Sequence, residues 1–178
     1  MQSLASGLAE RSIATLRYQF PYMEAKSRRP DPPALCHATV RAAVTEAGRS
    51  APDLPLIAGG RSFGGRMTSQ AQSQSPLPQV RGLAFFAFPL HPARQPGTDR
   101  AKHLFNIDVP MLFIQGTRDE LAQLDLINSL AEQLGARATL HRVEDADHSF
   151  HVPARSGRRD SEVREEYLDF LGAWVASL

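Results

Sequence analysis

At 178 residues, with 42% hydrophobic and 22% charged residues, the chain is long enough for one domain with a proper core and has an ordinary soluble composition. A net charge of +1 supplies no general attraction to nucleic acid or to an anionic membrane. A single cysteine excludes an intrachain disulfide, and no apolar run approaches the ~18 residues of a membrane span. The N-terminus lacks the long apolar centre of a signal peptide. The expectation is one soluble, cytoplasmic domain over residues 1–178, with no nucleic-acid or membrane partner.

Strand-like and helix-like segments alternate, which predicts a mostly parallel sheet flanked by helices. A short helix over Gln2 to Glu10 leads into a strand over Ile13 to Tyr18. Asp31-Pro32 reads as an N-cap followed by first-turn proline. The helix it opens places Cys36, Val40, Ala43, Val44 and Ala47 on one face, and Gly48 is its stop. Cys36 on that face reads as a small core residue rather than a nucleophile.

The run Leu54 to Ala58 is a strand, and a helix-compatible stretch follows at Arg66 to Gln72. Between them, Gly60-Arg61-Ser62-Phe63-Gly64 fits G-x-S-x-G, a sharp strand-to-helix turn with a serine at its apex. Such a turn holds the serine in a strained conformation and brings neighbours too close for a Cβ, hence the flanking glycines. It also aims the amide of Phe63 at an oxyanion developing on a bound carbonyl.

Ser69 to Gln79 reads as a polar loop, and Pro89 to Arg100 as a second. Leu83 to Phe88 and Met111 to Ile114 are apolar runs suited to strands buried on both faces. Leu121, Leu124, Ile127, Leu130, Ala131 and Leu134 recur at helical spacing until Gly135. Thr139 to Val143 is the last strand. A closing helix opens at Asp160 or Ser161 and buries Val163, Tyr167, Phe170, Leu171, Trp174, Val175 and Leu178. Arg155, Arg158 and Arg159, just before and at its start, read as a solvated cluster.

A serine hydroxyl needs a histidine to take its proton, and the histidine needs a carboxylate to fix its tautomer. Parallel sheets gather such groups in loops beyond their strand ends. Asp119 follows the strand at Met111 to Ile114, and His148 follows the last strand, so Ser62, Asp119 and His148 are the candidate nucleophile, acid and base. Asp119 could instead cap the helix that follows it. Asp145 and Asp147 are rival acids, more natural as organisers of the histidine loop, and His151 is a second, weaker base. His37 and His141 lie in a helix and a strand and read as structural. His91, His103, Glu24, Met67 and Arg94 are candidates to line a pocket.

The blocks Phe20-Pro21-Tyr22-Met23-Glu24, Gly59 to Gly65, Phe88-Pro89-Leu90-His91-Pro92, Gln115-Gly116-Thr117-Arg118-Asp119 and Asp147-His148-Ser149-Phe150 span almost the whole chain. In them the chain resembles the small bacterial α/β-hydrolases related to dienelactone hydrolase. The resemblance implies an α/β-hydrolase fold, with Ser62 as nucleophile, Asp119 as acid and His148 as base. Dienelactone hydrolases proper place cysteine where this chain has Ser62, so hydrolysis of an ester or related acyl bond is the safer implication. The substrate is then a small acyl compound, and no metal or organic cofactor is implied. The alternative is a non-catalytic interaction module on the same fold.

The resemblance also implies a strand and an oxyanion loop just before the helix at Gln2, supplying a second oxyanion amide. In the family sheet that strand lies between those resembling Ile13 to Tyr18 and Leu54 to Ala58. On this reading the chain lacks the N-terminal strands of the fold, and its flanking strands lack their shared neighbour. A later-than-true start, direct pairing of the two strands, or a second chain filling the gap as a homo-oligomer would each resolve this. The expectation is a chain compromised in stability, catalysis or both.

Overall fold

A computed structural model describes residues 2–178. Four parallel strands form one sheet in the order β1-β2-β3-β4: β1 is Leu56–Arg61, β2 Val80–Phe86, β3 Met111–Gly116 and β4 Ala138–Val143. Sequential order in a parallel sheet requires a crossover after every strand. The first is α4 (Phe63–Gln74), preceded in the chain by α1 (Gln2–Glu10), α2 (Pro21–Glu24) and α3 (Pro33–Ser50). The second is a loop with a 3₁₀ segment at Asp99–Asn106, the third is α5 (Leu124–Leu134), and α6 (Asp160–Ala176) follows β4.

The period of two along each strand divides the core into two layers. Leu83, Phe85, Met111 and Phe113 point to one face, where they pack with α3, α4 and α5. Ala84, Phe86, Leu112 and Ile114 point to the other, where they meet Leu8 of α1 and Val163, Tyr167, Leu168, Leu171 and Trp174 of α6. β2 and β3 are therefore apolar on both faces, which is why they read as continuous apolar runs. Phe85, Phe88 and Phe113 pack ring against ring, with centroids 5.1 to 5.8 Å apart. Cys36 is fully buried on α3, as expected of a core cysteine.

Several expectations require correction. Residues 13–18 are not a strand: the sheet ends at β1, and this segment pairs with nothing in it. Direct pairing of the two flanking segments, one of the three resolutions above, does not occur. Asp31 does not cap α3; Pro32 holds that position, and Asp31 Oδ2 instead accepts the Tyr22 N–H at 2.8 Å. Gly48 does not stop α3, which continues to Ser50, its last turn tied by Glu46 to Arg49 and Ser50.

Ser69 to Gln74 is helix rather than loop, because its polar side chains find local partners. Ser69 Oγ donates to Arg66 O at 2.9 Å, and Gln72 Oε1 accepts the Leu77 N–H at 2.8 Å. Leu121 lies before α5 in a turn, not in the helix. At the C-terminus the buried stripe of α6 fades, and Leu178 is exposed. Arg158 and Arg159 pair with Glu166 and Glu162 of α6, which leaves Arg155 as the solvated member of that cluster.

Candidate active site

The C-terminal ends of β1, β3 and β4 deliver the three candidate residues to one place. Ser62 sits in the turn between β1 and α4 at φ 51°, ψ −117°, a backbone region costly for a residue with a Cβ. Its amide is held by Phe86 O at 2.9 Å, and its carbonyl accepts from Arg66 N at 3.1 Å as the first bond of α4. The tight return brings β1 and α4 into backbone contact. A Cβ on Gly60 would lie 2.9 Å from Gly64 C and Gly65 N, and one on Gly65 would lie 2.7 Å from Gly60 O. Gly64, the last glycine of the motif, has nothing within 4 Å of that position. The steric demand falls on Gly60 and Gly65, not on Gly64 as the motif alone suggests.

Ser62 Oγ lies 2.8 Å from His148 Nε2, and His148 Nδ1 lies 2.8 Å from Asp119 Oδ2 and 3.0 Å from Oδ1. Asp119 accepts two further bonds, from Leu121 N to Oδ1 at 2.8 Å and from Gln115 Nε2 to Oδ2 at 2.5 Å. Surrounded by donors, the carboxyl oxygens leave Nδ1 as the protonated ring nitrogen and Nε2 as acceptor for the Ser62 hydroxyl. The Asp119 side chain is wholly buried and that of His148 is 27% exposed, so the serine end of the chain of bonds faces solvent and the acid end does not. Asp119 caps no helix, since α5 begins beyond it at Leu124.

The histidine loop is shaped by its own polar groups. Asp147 Oδ1 accepts the amides of Ser149 and His151, at 2.7 and 3.0 Å, while its backbone N–H donates to His151 O. Thr117 Oγ1 accepts the Asp145 amide at 2.9 Å, and Asp145 takes a positive φ. Asp147 thus organises the loop, as expected of it, and neither aspartate contacts His148 Nδ1. Arg61 Nη2 donates to His148 O at 3.2 Å, joining the serine turn to the histidine loop. His151 is turned away to Asp160 at 2.9 Å, a carboxylate that raises its pKa.

Phe63 is the first residue of α4, so its amide has no carbonyl a turn earlier to bond within the helix. Its ring is fixed by Phe20 and Tyr22, at 5.6 and 6.2 Å edge to face, with the Arg66 guanidinium over it at 5.6 Å. The Phe20-Pro21-Tyr22 block therefore acts on this site by gripping Phe63.

The pocket candidates divide differently. Met67 is core, and His91 is buried with both nitrogens engaged, Nδ1–H toward Pro92 O at 2.9 Å and Nε2 accepting Gln123 N–H at 3.2 Å. His103 Nε2 meets Ser69 Oγ at 2.8 Å; burial, with help from Arg66, pushes its pKa down to about 4. Glu24 and Arg94 are exposed. His37 bonds Gln70 and His141 stacks on Phe170 at 4.2 Å, both structural as expected. A cavity of about 180 Å³ opens on the α6 side, between Arg61, Ser149, Arg164 and Tyr167. Among the described residues no group of three or more His, Cys, Asp or Glu side chains is arranged to hold a metal ion.

Sequence reasoning missed Gln115. It is buried at the end of β3, where Oε1 accepts the Phe88 amide at 2.9 Å while Nε2 donates to Asp119. The signal was present: a lone amide ending the apolar run Met111 to Ile114 must find partners inside.

Residues 1–176 match the family model for the alpha/beta hydrolase domain. Among solved structures the chain is similar to an alpha-beta serine hydrolase homologue from Coxiella burnetii, at TM-score 0.75 and 21% identity, covering 96% of this chain and 74% of that one. It is also similar to a putative alpha/beta hydrolase from Agrobacterium tumefaciens, at TM-score 0.74 and 23% identity, covering 99% and 77%. A third is a lidless serine hydrolase from Xanthomonas campestris, at TM-score 0.71 and 23% identity, covering 97% and 72%. At these identities the likeness is one of fold.

Proposed function

The chain belongs to the alpha/beta hydrolase domain family, and from that premise we propose that it is a serine hydrolase cleaving an ester or related small acyl bond. The observation that carries the reading is the continuous chain of bonds from Ser62 Oγ through His148 to buried Asp119. Ser62 Oγ attacks the substrate carbonyl carbon while its proton passes to His148 Nε2. Asp119 holds the ring in the required tautomer and stabilises the imidazolium. The Phe63 amide donates to the oxyanion of the tetrahedral intermediate. Collapse breaks the ester C–O bond, and the leaving alkoxide takes the proton from His148. Water then attacks the acyl-serine with His148 again as base, releasing the acid and restoring Ser62.

An incubation with a fluorophosphonate probe, read by intact mass, tests this. The expected result is one adduct on the wild-type chain and none on Ser62→Ala. A folded wild-type chain that takes no label would sink the reading in favour of a non-catalytic module on the same fold.

A further inference from the structure

Arg66 stands in the first turn of α4, and its side chain reaches back toward the end that carries Ser62, as helical side chains lean to the helix N-terminus. The guanidinium lies over the Phe63 ring, 5.6 Å from its centroid. Its Nε is buried without a hydrogen-bond partner, and among the described residues no carboxylate pairs with it. A half-buried cation beside the nucleophile turn is thus left without an anion.

A second cation faces it. Arg100 comes from the 3₁₀ segment between β2 and β3 and is half-buried. Burial first, and the Arg100 charge second, lower the Arg66 pKa. The carboxylates that could separate the two arginines are engaged elsewhere. Asp99, next to Arg100 in the chain, is taken by Lys102 at 2.7 Å, and Asp31 accepts the Tyr22 amide at 2.8 Å. Glu24 is exposed and pairs with neither arginine. Like charges held together and partly out of water cost free energy that a bound anion offsets. The neighbours on all sides of this place, Cys36 of α3, Met67 of α4 and Leu104 of the 3₁₀ segment, belong to the core layer away from α1 and α6.

We propose that Arg66 and Arg100 hold an anionic group of the substrate, so that the preferred substrate is an ester carrying a free carboxylate. The inference rests on Ser62 as the nucleophile and names the class of compound it attacks. The planar fork of arginine donates paired bonds to a carboxylate, which fixes orientation as well as affinity. Ser62 and Arg66 are about one helical turn apart, ~5.4 Å along α4. A carboxylate gripped at that spacing from the ester carbon leaves the carbonyl at Ser62 Oγ and its oxygen toward the Phe63 amide.

Titration calorimetry on the Ser62→Ala chain tests this without turnover. The probes are methyl hydrogen glutarate, whose ester and carboxylate stand roughly one helical turn apart, and dimethyl glutarate, its neutral counterpart. The half-ester should bind on the order of tenfold or more tightly than the diester, and Arg66→Gln or Arg100→Gln in the same background should each remove most of that preference. Diester binding should stay unchanged in both. Equal affinity for the two probes, no binding of the half-ester, or a preference that survives both substitutions overturns the proposal. If Arg66→Gln fails to fold, Arg100→Gln and the contrast between the probes decide. Fluorophosphonate labelling of the wild-type chain reports on Ser62 separately, so a silent nucleophile and a missing anion site give different results.

Discussion

Gln115 gives its two polar ends to different loops, one to the Phe88 amide and one to the Asp119 carboxylate. Both partners are buried, so removing the amide leaves an unmet donor at Phe88 and strips Asp119 of a bond that fixes its orientation. Gln115→Leu should lower stability by about 1–3 kcal/mol in denaturant unfolding. It should also lower kcat more than it raises KM, because a positioning residue acts on the reacting geometry rather than on substrate binding. Unchanged kcat with the stability loss present would reduce Gln115 to a structural role. The same scale explains why Asp119, and not Asp147, contacts His148 Nδ1. Asp147 is consumed by the amides of its own loop, whereas Asp119 is held rigid by Gln115 and Leu121 and turned to His148.

The turn between β1 and α4 is an element-scale device, because a strained serine persists only while the surrounding backbone over-determines it. That constraint is the close approach of Gly60 and Gly65, and the contrast with Gly64 makes it testable. Gly65→Ala drives a methyl to 2.7 Å from Gly60 O, so helix must move from strand. A loss of about 1–3 kcal/mol is expected. Gly64→Ala meets open space inside α4 and should be neutral or stabilising by up to ~1 kcal/mol, since alanine favours helix over glycine. Thermal or urea unfolding of the two variants checks the order. Equal losses would place the constraint elsewhere. The motif G-x-S-x-G exposed the turn in the sequence, but which glycines it needs depended on where α4 packs.

Across the whole molecule, the α4 layer and the 3₁₀ segment at Asp99–Asn106 meet through His103 and Ser69. Ser69 Oγ donates to Arg66 O, so His103 Nε2–H is the donor to Ser69. Burial first, and the Arg66 charge second, lower its pKa from 6.5 to about 4. Between those values the unfolded chain binds a proton that the folded chain refuses, so stability rises with pH across that window. The contribution is complete above pH 6.5 and is lost progressively as pH falls toward 4. Tm measured from pH 7.5 down to 4.5 should fall for the wild type, and the fall should be shallower for His103→Gln. Parallel curves would assign the acid sensitivity to other groups.

The sequence by itself determined the local chemistry of this protein: apolar runs for β2 and β3, helical periodicity for α5 and α6, the strained serine turn, and the order Ser62, Asp119, His148, each after a strand of its own. These are legible because period and turn residues report which backbone conformations and which buried faces a segment can support. Tertiary structure alone decided what each segment meets. Ser69 to Gln74 reads as polar loop, yet it is helix because its side chains bond back to nearby backbone. Gln115 reads as the end of a strand, yet the β2 loop brings Phe88 to one end of its amide and the Asp119 turn to the other. Residues 13–18 read as a strand, and remain unpaired because a strand exists only where a neighbouring edge accepts its hydrogen bonds.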